Sequence, residues 1–251
     1  MKKILITGYT GFLGTNLIDK LKRIAEDYVV YGINSSTPMI RIEDYAKDCD
    51  FVFNFAAVHR PKKKEEFDEV NAQLFLYVIE CLEKNKNNCP VLYTSSIQAK
   101  DDSDYGRSKI HGENILRKHT EKSGSRGIVY RLTNTFGPYA RPNGHSVVAT
   151  FCNNIAKGLP ITISDPRHVM HLQYVGDVIE DFVKRLNEGR EGMFEFHEIP
   201  SQYTYDISLQ EIADYLYAFE DELKNNKTPV GKTEFEQKLL ATYIYYREQV
   251  S

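Results

Sequence analysis

The sequence has only four cysteines in 251 residues, Cys49, Cys81, Cys89 and Cys152, with no CxxC spacing and no histidine pair beside them. That pattern argues against a structural zinc site and against a disulfide framework, and fits reduced thiols in a reducing compartment. No sign of charge dominates, since the net charge is −3 and is spread along the chain. Neither a nucleic-acid surface nor a polybasic membrane patch is therefore expected. The one basic run, Lys62-Lys63-Lys64, is followed at once by Glu65 and Glu66, as in a solvated loop or helix start. No apolar stretch is long enough to span a bilayer, and Ile4-Leu5-Ile6 is too short for the core of a signal peptide. A soluble, cytoplasmic chain is expected. Internal repeats and low-complexity segments are also missing.

What is present reads as α/β. Apolar residues make up 41% and charged residues 27%, the balance of an ordinary globular enzyme. In the first half, short apolar runs alternate with helical patterns, the mark of βαβ units feeding a parallel sheet. Strands are expected at Lys3–Thr7, Val29–Ile33, Phe51–Phe55, Val91–Ser95 and Gly127–Arg131. Helices are expected at Phe12–Ala25, Glu65–Glu83 and Tyr105–Glu121; Val70, Leu74, Val78 and Leu82 form the packing stripe of the second. After Arg131 the segment TNTFGPYARPNGHS reads as an irregular loop. A helix at Val147–Lys157, a strand pair at Ile161–Ser164 and Val169–Tyr174, and a helix at Val178–Glu188 follow. The last sixty or so residues are read as a strand, Met193–Phe196, and two helices, Ser208–Leu223 and Thr233–Tyr246. The expected architecture is a Rossmann-type doubly wound parallel sheet over residues 1–165, with a small C-terminal substrate-binding lobe over 166–251. Segment 168–190 is left free to pack back onto the first domain.

Two motifs carry chemistry. ILITGYTGFLG sets Gly8, Gly11 and Gly14 directly after the first strand and at the mouth of the first helix. Gly8 permits the tight turn, Gly11 lets a pyrophosphate approach the backbone, and Gly14 allows close helix–sheet packing. The helix N-terminus offers amides and a positive dipole end to phosphates. Thr10, Phe12 and Leu13 belong to the same cofactor loop. About twenty residues on, an acidic residue would hold the ribose hydroxyls of NAD. Here stand Asn34 and Ser35 with no carboxylate, so NADP(H) is favoured over NAD(H).

The second motif lies in YTSSIQAKDDSDYGRSKIHGENIL. Tyr105 and Lys109 are four apart and share a helix face. A nearby ammonium favours the phenolate, so the phenol is expected to be more acidic than usual and to exchange a proton with a substrate carbonyl. Ser96, at the end of the fourth strand, would hydrogen-bond the same oxygen. The proposed catalytic set is Ser96, Tyr105 and Lys109, and Tyr105 and Lys109 are counted among the cofactor-binding residues as well. His59, His145, His168 and His171 show no metal-ligand spacing, and no metal is expected.

With these motifs the chain resembles an extended short-chain dehydrogenase/reductase over nearly all its length. The likeness rests on TGxxGxxG at Gly8–Gly14, NFAAV at Asn54–Val58, Asn71, the Ser96/Tyr105/Lys109 set, RLTNTFGP at Arg131–Pro138 and YVGDV at Tyr174–Val178. It implies that Ala56 and Ala57 lie beneath the adenosine ribose and pyrophosphate, that Leu132 and Thr133 flank the nicotinamide, and that Asn134 contacts the sugar nucleotide. Arg60 with Pro61, the nine-residue step from Ser96 to Tyr105, and PNGHSVVATFC at Pro142–Cys152 are similar to the N-terminal reductase domain of the CapF family of capsule enzymes. That resemblance implies NADPH-dependent reduction at C4 of a UDP-linked 4-keto-6-deoxy-N-acetylhexosamine, by a homodimer. An arginine that grips the diphosphate in many extended members is replaced by Met170, which leaves Arg60, Arg141 and Arg167 as candidate cations, with His145 placed to touch the hexose. Members of the capsule group carry a C-terminal cupin domain, and this chain stops near where one would begin. Two alternatives are open, a fragment or a reductase served by a separate cupin-type epimerase. An NAD(P)-dependent epimerase or dehydratase of the same family is the other enzymatic reading. A dehydratase is disfavoured because Ile97 and Gln98 stand where an acid pair would follow the serine. A non-enzymatic redox sensor is the third reading, disfavoured because the Tyr/Lys pair is retained.

Overall fold

A computed structural model describes residues 1–24, 27–57, 72–144, 146–190 and 192–250. The strands run β1 Lys2–Thr7, β2 Tyr28–Ile33, β3 Phe51–Asn54, β4 Val91–Ser96, β5 Gly127–Leu132, β6 Asn134–Phe136, β7 Val169–Tyr174, β8 Phe194–His197 and β9 Thr204–Ser208. The helices are α1 Phe12–Arg23, α2 Met39–Ala46, α3 Leu74–Lys84, α4 Asp104–Ser123, α5 Val147–Ala156, α6 Val175–Leu186, α7 Leu209–Lys224 and α8 Glu234–Glu248. The chain divides into two compact units, 1–132 with 181–198, and 133–180 with 199–251.

The first unit is built on a six-stranded sheet in the order β2-β1-β3-β4-β5-β8, with every pair parallel. The direction of winding reverses between β1 and β3, the switch point where such sheets bind ligands beyond their carboxyl ends. β3 shows why both faces are covered. Phe51 and Phe53 point one way and Val52 the other, and all three are fully buried, as a central parallel strand requires. On Val52's side, Leu5, Val91, Tyr93 and Val129 pack against Ile42, Phe75, Val78, Leu82, Ile115 and Leu116 of α2, α3 and α4. On the other side Phe53 and Phe55 meet Phe182, whose ring also stands edge-on to Tyr130 at 4.9 Å.

Several expectations change here. Val78 and Leu82 take the buried places their spacing assigned, while residues 65–71 of the expected second helix lie outside the described residues. The strand expected at Met193–Phe196 forms as β8, but it pairs with β5 in the large sheet and does not belong to the lobe. Its anchors are ionic: Arg126 pairs with Glu188 and Glu195. The boundary expected at 165/166 falls inside the second unit.

The second unit holds a three-stranded sheet, β6-β7-β9, with β7 parallel to β6 and antiparallel to β9. Ile161–Ser164 forms no strand; the partner of β7 on that side is β9, which the sequence pattern had not marked. β6 likewise lies inside the segment expected to be irregular. α7 opens on a capping box, Ser208 with Glu211, so the helix starts one residue after the serine that signals it. Tyr243 of α8 is fully buried and donates to Glu220 of α7 at 2.7 Å.

Candidate active site

The end of β1 and the end of β3 are stitched together. Thr7, fully buried, donates through Oγ1 to Asn54 Oδ1 at 2.8 Å and accepts from the Ala56 amide at 3.1 Å. The chain then turns at Gly8, whose φ of +68° lies in the left-handed region that a side chain disfavours. The Gly8 carbonyl accepts the Gly11 amide at 2.9 Å, which closes the loop. A Cβ on Gly14 would lie 2.5 Å from that carbonyl oxygen, so α1 reaches the loop only because Gly14 has none. Gly11 is the N-cap residue of α1 and no side chain caps the helix, so its first-turn amides keep no side-chain acceptor. Thr10 and Gly11 are exposed at the loop, and Phe12 and Leu13 are half-buried behind it. Bare backbone, a helix start without a side-chain cap and half-buried Ala56 and Ala57 across from Gly8 fit a dinucleotide pyrophosphate.

The residues expected to read the ribose lie after β2. Asn34 Oδ1 accepts from Ser36 N at 3.0 Å and Ser36 Oγ at 2.7 Å, and the Asn34 amide donates to Thr37 Oγ1 at 3.0 Å. Its side-chain oxygen is therefore committed to a local turn, while Ser35 is exposed. No carboxylate lies between Ile33 and Pro38. Arg41 sits exposed in the first turn of α2.

The three candidate catalytic residues meet at the carboxyl end of β4. Ser96 ends that strand and caps a short 3-10 turn, Ile97–Lys100, by accepting the Gln98 amide at 3.1 Å. Ser103 caps α4 in turn, accepting the Gly106 amide at 2.9 Å. The nine-residue step from Ser96 to Tyr105 is thus one tight turn and one cap. A Cβ at Gly106 would lie 2.4 Å from the Gln98 carbonyl oxygen, a measure of how closely the turn packs on the helix start. This brings Tyr105 into hydrogen-bonding contact with Ser96. Lys109 is 3% exposed and donates to the Thr94 carbonyl at 2.9 Å, with its Nζ 5.6 Å from the Tyr105 ring centre and 5.3 Å from that of Tyr93.

The electrostatics depart from expectation at one point. Burial pushes the Tyr105 phenol well above its ordinary range, and only the Ser96 hydrogen bond draws it back. The acidifying effect expected from Lys109 does not prevail, because desolvation penalises a phenolate and the ammonium bonds the Thr94 carbonyl instead of the phenol. Lys109 moves the other way, pushed down to about 8 by burial with Glu113 opposing the shift. At neutral pH the pair is a protonated phenol beside an ammonium.

Leu132 ends β5 directly opposite Ser96 in the sheet register. Asn134, Arg141 and Arg167 belong to the second unit, all three exposed, on β6, a loop and a turn respectively. Thr133 there donates to the His171 carbonyl at 2.9 Å, and the His171 ring pairs with Asp206. Arg60, His59, His145 and Asn71 lie outside the described residues. Among the described residues no group of three His, Cys, Asp or Glu side chains is placed to hold a metal ion, and no helix is long and apolar enough to cross a membrane. Sequence reasoning missed Glu113 and Arg131, which stand behind Lys109. The available signal was Glu113 at the fourth position after the lysine, inside an otherwise buried helix face.

The sequence model described as the NAD dependent epimerase/dehydratase family matches residues 4–195. The UDP-2-acetamido-2,6-beta-L-arabino-hexul-4-ose reductase of Pseudomonas aeruginosa is 35% identical over 245 residues, which are 97% of this chain and 64% of that protein. The crystal structure of the capsular polysaccharide assembling protein CapF from Staphylococcus aureus superposes with a TM-score of 0.84 at 34% identity, covering 97% of this chain and 65% of that one. This chain therefore spans a little under two thirds of the length of both. Bordetella bronchiseptica WbmF, solved with NAD+, superposes with a TM-score of 0.80 at 18% identity over 99% of this chain and 93% of that one, a likeness of fold.

Proposed function

The chain belongs to the NAD dependent epimerase/dehydratase family, and from that premise we propose that it is an NADPH-dependent reductase of the 4-keto group of a UDP-linked 6-deoxy-N-acetylhexosamine, acting in the synthesis of a capsular or O-antigen polysaccharide precursor. The observation that carries the proposal is the junction of Ser96, Tyr105 and Lys109 at the end of β4, with the phenol in its protonated form. Reduction of a ketone needs a proton donor at the carbonyl oxygen, and a neutral phenol is that donor. A bound reduced nicotinamide supplies the hydride. Ser96 orients the carbonyl oxygen, and Tyr105 transfers its proton to the oxygen as negative charge develops there. Lys109, held by the Thr94 carbonyl, stabilises the phenolate left behind. The glycine loop, Ala56 and Ala57 would hold the dinucleotide, and Leu132, opposite Ser96, would border its nicotinamide.

The 4-keto substrate is proposed from the 35% identical Pseudomonas aeruginosa reductase. NADPH over NADH is supported by the missing carboxylate after β2, since nothing between Ile33 and Pro38 would repel a 2′-phosphate. A cytoplasmic setting fits four buried, free thiols. The test is to mix the protein with NADPH and a UDP-4-keto-6-deoxy-N-acetylhexosamine and follow the loss of reduced-nicotinamide absorbance. Stoichiometric consumption is expected, faster with NADPH than with NADH. A cofactor that co-purifies and is regenerated on every turnover would instead assign the chain to epimerisation.

A further inference from the structure

Glu113 lies four residues beyond Lys109 on α4 and is 4% exposed. A carboxylate at that depth is costly unless it is well partnered. Its oxygens accept from Arg131 Nε at 2.8 Å, Arg131 Nη2 at 2.6 Å and Ser95 Oγ at 2.5 Å. Ser95 and Arg131 face each other across β4 and β5, so one helix side chain grips two strands. The neighbouring strand residues are gripped from the same helix. Thr94 accepts Lys109, and Ser96 meets Tyr105. Three consecutive strand residues are thus matched by three helix residues spaced four apart, Lys109, Glu113 and Tyr105. Such an arrangement sets the position of the helix along the strand.

The same carboxylate stands one helical turn beyond Lys109 on the buried side of α4. Among the described residues, β4 presents to that ammonium the Tyr93 ring and the Thr94 carbonyl, α4 presents Tyr105 and Glu113, and β5 presents Arg131 behind Glu113. Glu113 is the anion of this set. We propose that Glu113 is a positioning residue for the candidate catalytic set: it locks α4 to β4 so that Tyr105 meets Ser96, and it supplies the negative charge that keeps the buried Lys109 an ammonium. Its meaning for catalysis rests on the function proposed above, whereas its coupling to Lys109 does not.

The experiment uses two readouts on the whole chain. The first is an NMR titration of isotope-labelled lysine side chains, with the Lys109 signal identified by its loss in Lys109→Met. The Lys109 midpoint is expected to fall by about one pH unit in Glu113→Gln and to stay near wild type in Glu113→Asp. The second is the pH profile of kcat/KM with NADPH and the UDP-4-keto sugar. Its alkaline limb is expected to move down in Glu113→Gln by the same amount and to return in Glu113→Asp, with kcat roughly tenfold lower from the shortened reach. A folded Glu113→Gln whose Lys109 midpoint stays put overturns the proposal and leaves Glu113 a structural ion-pair partner. If Glu113→Gln does not fold, Ser95→Ala carries the test. It removes one bond to the carboxylate while leaving the charge, so kcat should drop about tenfold with the limb unmoved, and an unchanged kcat overturns the proposal. A Lys109 midpoint that falls in Glu113→Gln, together with a wild type that shows no turnover, would sink the proposed function while leaving the coupling in place.

Discussion

At the scale of single residues, the proton donor and its neighbour make separate predictions. Tyr105→Phe removes the donor and leaves the fold, so kcat should fall by roughly 10²–10⁴, the usual range for general acid catalysis, with NADPH still bound, as a fluorescence titration checks. A Tyr105→Phe enzyme as fast as wild type would remove the phenol from the mechanism. Lys109, with burial holding it at about 8, is an ammonium below that pH and neutral above it. The phenolate formed on proton transfer loses its countercharge as pH rises, so kcat/KM should decline through about pH 8. Lys109→Met should remove that limb together with most of the activity. The four-residue spacing that placed these two side chains on one face was legible in the sequence. The direction of the phenol's shift was not, because it depends on how deeply the sheet and helix bury the ring, a tertiary property that spacing does not encode. Asn34 shows the same gap. It was expected to donate to a phosphate, and what the structure adds is that its oxygen accepts from Ser36 and Thr37 within its own turn.

At the scale of elements, two contacts between backbone and neighbour are tight enough to test. Gly112 on α4 faces Tyr93 of β4, and a Cβ there would lie 2.2 Å from the Tyr93 hydroxyl oxygen. Tyr93 is fully buried and cannot swing out. Gly112→Ala should cost about 1–3 kcal/mol as overpacking, and at roughly 2–4 °C per kcal/mol for a chain of this size the melting temperature should drop by several degrees. A melt within one degree or so of wild type would show that the helix shifts freely. In the cofactor loop, Gly14→Ala puts a methyl 2.5 Å from the Gly8 carbonyl oxygen and 2.6 Å from Tyr9 Cα, both backbone atoms. The loop must open, and NADPH binding should weaken by about tenfold or more, measured by fluorescence titration. Elements with strong local patterns were legible: β1 to β5 start or end within one residue of expectation, since each is an apolar run between turn residues. α2 was missed because Met39–Ala46 is short and opens with exposed Met39 and Ile40. β6, three residues long, and β9 were missed because each is a strand only through its pairing with β7.

At the scale of the whole molecule, the order of the chain and the order of the structure part company. The first unit takes 181–198 from beyond an excursion of nearly fifty residues into the second. That return supplies β8 beside β5, the Phe182 ring against Phe53, Phe55 and Tyr130, and the acids that pair with Arg126. A boundary drawn from sequence at 165, with segment 168–190 left free to pack back, allows for Phe182 and Glu188 but misses β8 and Glu195, because nothing local to Phe194–His197 says which sheet the strand will join. A fragment ending at residue 165 would expose the aromatic face of β3 and β5. Losing one buried phenylalanine of this kind costs about 3–5 kcal/mol, a large part of the roughly 5–15 kcal/mol that holds a domain together, and the sixth strand and the Arg126 pairs go with it. The fragment 1–165 should therefore show no cooperative thermal transition by circular dichroism, bind a hydrophobic dye, and fail to bind NADPH, although every residue of the glycine loop and of the Ser96/Tyr105/Lys109 set is present. A fragment that melted cooperatively and bound NADPH like the full chain would mean that β1 to β5 suffice, and that the returning segment only decorates a unit already complete.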